Sequence, residues 1–297
     1  SSLSETKPHH YIIVTLTALG FLSLMRWQAI TKDSMLIAGR PNQNTFAAET
    51  RLQNRDSILV AIKADAIKNG LPESYLNEIF SYGGIAVHDK ILDRFSKPYE
   101  KKSWTDYRKL FITESRIQKG VAFYTQYKND LNSVSNQMNV DPFLILSIVG
   151  VESNYGRHRG KYTVFNALYT QIAKMPRRKQ WATKEMIAFL VYCYSDSIPP
   201  HSIKGSYAGA FGYGQFIPSS FNAFAADGNG DGIRRPYDWV DVFASVGNYL
   251  VKNGYPVSNN SDDKQVYKSI YAYNHADNYV KAVLELRDKL KKSSLVK

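Results

Sequence analysis

The segment Phe143-Leu-Ile-Leu-Ser-Ile-Val149 is apolar at all but one position. A helix that is hydrophobic on all sides belongs inside a folded domain rather than on its surface. Asp141-Pro142 supplies an N-cap residue and a proline at the first helical position, and Gly156 supplies a C-terminal stop. The spacing therefore predicts a core helix from Pro142 to about Tyr155, with one carboxylate, Glu152, in its last turn. There the negative end of the helix dipole disfavours an ionised side chain, and apolar neighbours push the same way. A glutamate kept protonated near neutral pH can serve as a general acid. The competing reading is a surface glutamate beside a core helix.

Only a few stretches alternate strictly between apolar and polar residues, so the fold class expected is mostly α. Helical spacing starts at Asp56 and recurs in Ser57–Ile67, Ser74–Phe80, Arg116–Asn139, 183–195, 240–252 and 275–292. Before it lie two different segments. Tyr11 to Met25 carries no charge and is flanked by Lys7 and Arg26, which matches the apolar region of a secretory signal or signal anchor within residues 1–30. Residues 31–55 are rich in Asn, Gln and Thr and read as a polar linker. One mostly helical domain is expected over 56–292.

Thirty-eight Lys and Arg against 26 Asp and Glu give a net charge of +12, which favours an anionic partner such as an acidic polymer or a membrane surface. No zinc pattern or arginine-rich tract points to nucleic acid. The single cysteine, Cys193, excludes an internal disulfide and a cysteine metal cluster. Its setting, Phe189-Leu-Val-Tyr-Cys-Tyr194, reads as packed core.

Three further segments carry chemistry. Lys204-Gly-Ser-Tyr-Ala-Gly-Ala-Phe-Gly-Tyr-Gly-Gln-Phe-Ile-Pro-Ser219 interleaves glycines with aromatics. It fits neither phosphate-loop fingerprint. It reads as a tight hairpin whose aromatics pack, or as a platform on which rings face a sugar while Ser206 and Gln215 hydrogen-bond it. Asp227-Gly-Asn-Gly-Asp-Gly-Ile233 fits the opening of a calcium loop, with Asp238 at the twelfth position and Asp241 three further on. Tyr273-Asn274-His275 lies between an apolar, strand-like piece and the last helix, where Asn274 either holds a substrate group or caps the helix.

Taken together, Arg116-Ile-Gln-Lys-Gly120, Gly150-Val-Glu152, Pro176-Arg-Arg178, the glycine–aromatic segment, the aspartate-rich loop with Val240-Asp241, and Tyr273-Asn-His275 resemble the B-type lytic murein transglycosylases. The resemblance runs from roughly 55 to 292. It implies a lysozyme-like catalytic core with a small β-hairpin region and an EF-hand-like calcium loop. It also implies that Glu152 is the acid/base of peptidoglycan cleavage. Ser206, Gln215, Phe216, Tyr249, Tyr273, Asn274 and Tyr279 would surround the sugar, with Arg177, Arg178 and Tyr107 lining the groove. Its calcium ligands would be Asp227, Asn229, Asp231, the Ile233 carbonyl and Asp241, which displaces the Asp238 of the simple template. Calcium would be structural and no cofactor would take part in catalysis. The expected setting is a monomer in the periplasm of a Gram-negative bacterium, tethered to the membrane through the N-terminal segment or free.

Two departures from the family stand out. Ser153-Asn-Tyr155 replaces the usual Thr-x-Trp after the glutamate, and only Pro256 to Ala272 occupies the place of a common β-rich insertion. The nearest rival function is a goose-type muramidase that hydrolyses the same bond. It would need a second carboxylate to activate water, for which Asp196 and Asp227 are the choices. A wall-binding protein without activity is the rival of another class.

Overall fold

The computed structural model describes residues 43–97, 101–258 and 262–295. The apolar segment Tyr11–Met25 lies outside these residues, and no described helix is long and apolar enough to cross a membrane. The chain divides into two units, Ser1–Asp56 and Ser57–Lys297. The site described below lies in the second.

Helix α1 spans Gln43–Lys68, so the polar linker expected over 31–55 is helical from Gln43 onward. Ala47, Ala48, Glu49, Arg51, Leu52 and Gln53 are good helix formers, and their propensity outweighs the polar appearance that suggested a tether. Three short helices follow: α2 (Glu73–Phe80), α3 (Asp89–Ser96) and α4 (Trp104–Phe111).

Two helices form the centre. Helix α5 (Glu114–Met138) starts at a Thr113 cap whose hydroxyl accepts from the Arg116 N–H, and it stops at Asn139 in the left-handed conformation, φ 54°. Helix α6 (Pro142–Ser153) starts as the sequence predicts, with the Asp141 carboxylate accepting from the Phe143 N–H at 2.8 Å. Leu144, Ile145, Leu146, Ile148 and Val149 on α6 are each 0% exposed. Burying one such side chain contributes about 1.5–3 kcal/mol, which is why this helix needs no polar face. It packs against α5, α10 (Trp239–Lys252) and α12 (Asp277–Leu295).

Glycines at the α5–α6 crossing make this approach close enough. A Cβ at Gly120 would lie 2.3 Å from the Tyr155 hydroxyl and one at Gly150 would lie 2.7 Å from it. Tyr155 therefore fills the place that both missing side chains leave open.

Helices α7 (Val164–Lys174) and α8 (Lys179–Ser195) pack together, and α9 (Pro218–Phe224) lies on α8. Cys193 on α8 is 0% exposed, and burial pushes its thiol well above the ordinary range, as expected of a packed core residue. The only sheet among the described residues pairs β1 (Tyr162–Thr163) antiparallel with β2 (Lys204–Gly205). Phe211 bridges onward to both Gly205 and Phe216, enclosing the turn at Gly212–Gln215. The glycine–aromatic segment is thus one edge of a small ribbon completed by β1.

The piece before Tyr273-Asn-His, read as strand-like, is helix α11 (Asp263–Tyr273). Val266 and Ile270 are buried four residues apart and the Asp262 side chain caps the Lys264 N–H, a helical arrangement that short apolar runs do not distinguish from a strand.

Candidate active site

From Phe143 to Tyr155 every residue is buried except Glu152. It is the penultimate residue of α6, in the last turn as expected, and the helix stops immediately after it. Asn154, Tyr155 and Gly156 then adopt left-handed conformations in succession, with φ of 50°, 55° and 79°. The stop is therefore made by Asn154, with Gly156 completing the turn two residues later. Non-glycine residues at positive φ cost energy and are kept where surrounding packing demands them. Here they turn the chain away abruptly and leave the glutamate at the helix end.

Three tyrosines from three helices build the wall beside it. Tyr279, in the first turn of α12, donates its hydroxyl to Glu152 Oε1 at 2.6 Å. Tyr273, the last residue of α11, donates to the Gly214 carbonyl at 2.6 Å. Tyr249 on α10 donates to the Ala272 carbonyl at 2.7 Å. The Tyr273 and Tyr279 rings lie parallel within 9°, centroids 6.5 Å apart, and Tyr249 meets Tyr273 edge-on at 4.7 Å. Phe216 packs against Tyr249 and Tyr273 from the ribbon. Burial, and then the charge of Glu152, hold the Tyr273 and Tyr279 phenols far above their ordinary range. Both therefore remain donors across the neutral range, and Tyr279 holds the carboxyl group in one orientation.

The residues that the resemblance placed around the sugar divide into two groups. Glu152, Tyr249, Tyr273, Tyr279 and Phe216 form one connected cluster. Within it Tyr279 is 1% exposed and Phe216 is 5% exposed, so these two position the site and present little surface to a ligand. Tyr107 is likewise 1% exposed and packs on Phe111, so it presents little surface to a ligand. Ser206 Oγ accepts from the Ala208 and Ala210 N–H groups at 3.2 and 3.1 Å and shapes its own loop. Gln215 stands at a positive φ of 52° with its side-chain amide donating back to the Gly212 carbonyl at 2.8 Å. Asn274 caps the end of α11 rather than the start of the last helix, and its side chain stays partly exposed.

The two arginines are not alike. Arg177 is exposed. Arg178 donates to Gln171 Oε1 at 2.9 Å and lies over the rings of Trp181 and Phe95 at 4.2 and 4.7 Å. Partial burial lowers its pKa from the usual guanidinium value. Gln171 and Phe95 were not foreseen, because nothing in sequence separation links them to Arg178.

The rival carboxylates stand elsewhere. Asp227 accepts three N–H groups of its own loop, from Gly230, Asp231 and Gly232. Asp196 ends α8 and lines a separate cavity with Arg234 and Tyr192. A further buried carboxylate that sequence reasoning missed, Glu185, accepts from the Ser219 N–H and hydroxyl at 2.9 and 2.7 Å and so caps α9.

The aspartate loop closes on itself. Asp231 Oδ1 accepts from Ile233 N–H at 2.9 Å, and its other oxygen pairs with Arg235. Asp241, 0% exposed, accepts from the N–H groups of Gly228 and Arg235 at 2.9 and 2.8 Å. Asp238 Oδ1 caps α10, accepting from the Val240 and Asp241 N–H groups. Asn229 Oδ1 accepts from Asp231 N–H at 3.0 Å. Among the described residues no group of three or more His, Cys, Asp or Glu side chains is arranged to hold a metal ion, and the loop's oxygens are directed at its own amides.

Residues 54–263 match the family model for the transglycosylase SLT domain. The chain belongs to that family. It is 41% identical over 153 residues to membrane-bound lytic murein transglycosylase B of Escherichia coli, a match covering 52% of this chain and 42% of that protein. The chain thus spans less than half the length of that curated relative. The fold is that of the Escherichia coli lytic transglycosylase Slt35 in complex with bulgecin A, at a TM-score of 0.71 and 28% identity over 82% of this chain and 94% of that one. A second Slt35 structure, in complex with calcium, matches at 0.70 with 28% identity over the same shares, 82% and 94%. Soluble lytic transglycosylase SltB1 of Pseudomonas aeruginosa matches at 0.72, with 26% identity over 79% of this chain and 98% of that one. The mostly helical, lysozyme-like reading and its small ribbon hold in this SLT domain.

Proposed function

We propose that this SLT-domain protein is a lytic transglycosylase that cleaves the β-1,4 bond between N-acetylmuramic acid and N-acetylglucosamine in peptidoglycan. The observation that carries the reading is Glu152, the one accessible residue of an otherwise buried helix end, oriented by the Tyr279 hydroxyl. Protonated Glu152 donates to the glycosidic oxygen, and the N-acetylglucosamine side leaves with that proton on its 4-hydroxyl. The substrate's own acetamido oxygen stabilises C1, the exception to the two-carboxylate rule. The muramoyl 6-hydroxyl then attacks C1 and gives its proton to ionised Glu152. The 1,6-anhydro ring forms, the acid is regenerated and no water is consumed. Placement of Asp227 in its own loop and of Asp196 in another cavity favours this route over the hydrolytic muramidase. Mass spectrometry of digested peptidoglycan tests it: anhydromuramoyl ends support it, whereas reducing ends or no cleavage would overturn it.

We propose structural calcium for the aspartate loop: Asp227, Asn229, Asp231, the Ile233 carbonyl and Asp241 would supply oxygens suited to a hard cation, turning to it from the loop amides they now accept from. The buried Asp241 carboxylate ties both ends of the loop, and Arg235 supplies the positive charge beside Asp231 that a calcium ion would bring. Calcium would stiffen the loop, with no part in the reaction. A periplasmic setting, reached through the segment Tyr11–Met25, is proposed on that segment and on the membrane-bound Escherichia coli relative.

A further inference from the structure

Outside the glutamate site, the described residues enclose a cavity of about 710 Å³ between the end of α8, β2 and the segment 233–238. Arg159, Lys204, Arg234 and Arg235 line it, against Asp196 and Asp238. The charges are not evenly matched once their partners are counted. Arg235 is paired with Asp231, and Asp238 has an oxygen committed to the N-terminus of α10. Lys204, Arg159 and Arg234 have no ion-pair partner among the described residues, which leaves three cations against the two carboxylates of Asp196 and Asp238 and makes the lining net positive.

The walls suit a sugar or peptide as well as a charge. Arg159 lies over the rings of Tyr213 and Tyr237 at 5.3 and 5.7 Å and donates to the Tyr213 hydroxyl at 2.9 Å, so its guanidinium is held in place. Arg234 donates to the Asn222 carbonyl at 3.3 Å. Tyr192 lines the cavity with a buried hydroxyl that has no hydrogen-bond partner among the described residues. A cation held against aromatic rings, with further cations beside it, suits a carboxylate-bearing chain of sugar or peptide size.

We propose that this cavity is a second wall-binding site, which takes the carboxylates of peptidoglycan stem peptides on a strand that is not being cut. The proposal rests on the peptidoglycan reading of the glutamate site. One stretch of chain connects the two sites: Tyr213, whose hydroxyl accepts from the cavity-lining Arg159, is followed by Gly214, whose carbonyl accepts from Tyr273 on the glutamate side. A strand held in the cavity would keep the enzyme on the sacculus while the cleft releases a product.

The test uses the whole chain in an E152Q background, so that binding to insoluble sacculi is read by co-sedimentation without cutting. The double variant K204E/R234E should weaken sedimentation at least roughly tenfold at low salt, less as salt rises. A control, K291E/K292E on the exposed end of α12, should leave binding near the parent. Sacculi stripped of stem peptides by an amidase should bind the parent and K204E/R234E alike. With Glu152 intact, K204E/R234E should retain parental turnover on soluble fragments too short to span both sites. Unchanged sedimentation of K204E/R234E, an equal loss in the control, or an undiminished difference on stripped sacculi would each overturn the second site. Failure of the peptidoglycan reading would appear separately, as absence of cleavage by the parent carrying Glu152.

Discussion

Glu152 and Asp241 are both carboxylates on helices of the same core, yet their surroundings give them different work. Asp241 is fully buried and accepts two backbone N–H groups, so its oxygens are committed to holding a loop. Glu152 is partly accessible at the end of an apolar helix and is oriented by a phenol. A phenol beside a partly exposed carboxyl group orients it while a substrate can still reach it. Accessibility and donor type, rather than residue type, separate a structural carboxylate from one that can pass a proton.

The sharpest way to break this contrast is to remove the proton from one site and the charge from the other. E152Q should fold with an unchanged melting temperature and lose activity on sacculi by ~10²–10⁴ or more, because an amide keeps the shape and neither gives nor takes the proton. Retention of a tenth of parental turnover would remove Glu152 from the chemistry. D241N should do the reverse. It turns an acceptor toward two N–H groups into a side chain that can be forced to present its own donor, at a cost of about 1–3 kcal/mol in unfolding free energy. Chemical denaturation reads that loss, and turnover of the remaining folded protein should stay near parental.

A smaller effect tests the link between the glutamate and its tyrosine. Y279F keeps the ring against Tyr273 and deletes the donor to Oε1. Hydrogen bonds to charged groups contribute about 1.5–3 kcal/mol, so kcat should fall roughly tenfold to a hundredfold with KM little changed. An effect confined to KM would make Tyr279 a substrate contact after all.

Calcium should sharpen the other side of the comparison. Excess calcium added to chelated protein should raise Tm by mass action, to the extent of about 2.7 kcal/mol at a hundredfold excess over Kd. D231N should diminish the rise. No rise, with no metal found by elemental analysis, would leave the loop closed by its own amides and Arg235 alone.

The smallest effects concern pH and charge. Tyr273 and Tyr279 have phenols raised well above 10.0, so their stabilising contribution is complete below that value and is lost as pH rises through and beyond it. Ultraviolet titration should show these phenols ionising only as the fold is lost, and normal titration of both would contradict their burial. R177A should weaken binding of stem-peptide fragments modestly, more at low salt than at high, and leave Tm unchanged. R178A should also lower Tm, because it loses two aromatic faces and Gln171.

Much of this was legible in the chain because it is local. The Asp141-Pro142 start of α6 is one cap and one ring, and the placement of Glu152 in the final turn follows from the length of the apolar run. The aspartate loop was equally legible, since its oxygens accept from amides two to five residues away. The helices at 89–96, 104–111, 164–174, 218–224 and 263–273 were not, because short segments owe their helicity to what they pack against. The start of α1 at Gln43 was hidden behind a composition that resembles a linker.

Residue identity and spacing alone determined that this chain has a buried helix ending in a glutamate, a glycine–aromatic ribbon and an acidic loop. Those depend on periodicity, caps and turn chemistry within a few residues. Tertiary structure decided which tyrosine meets Glu152, that Arg178 is clamped while Arg177 is exposed, and that Tyr107 is buried against Phe111. It also gathered Arg159, Lys204 and Arg234 around one cavity. Tyr279 and Glu152 are 127 positions apart, and no local rule couples residues at that distance. Only the packing of α6 against α12 brings the phenol within hydrogen-bond reach of the carboxylate.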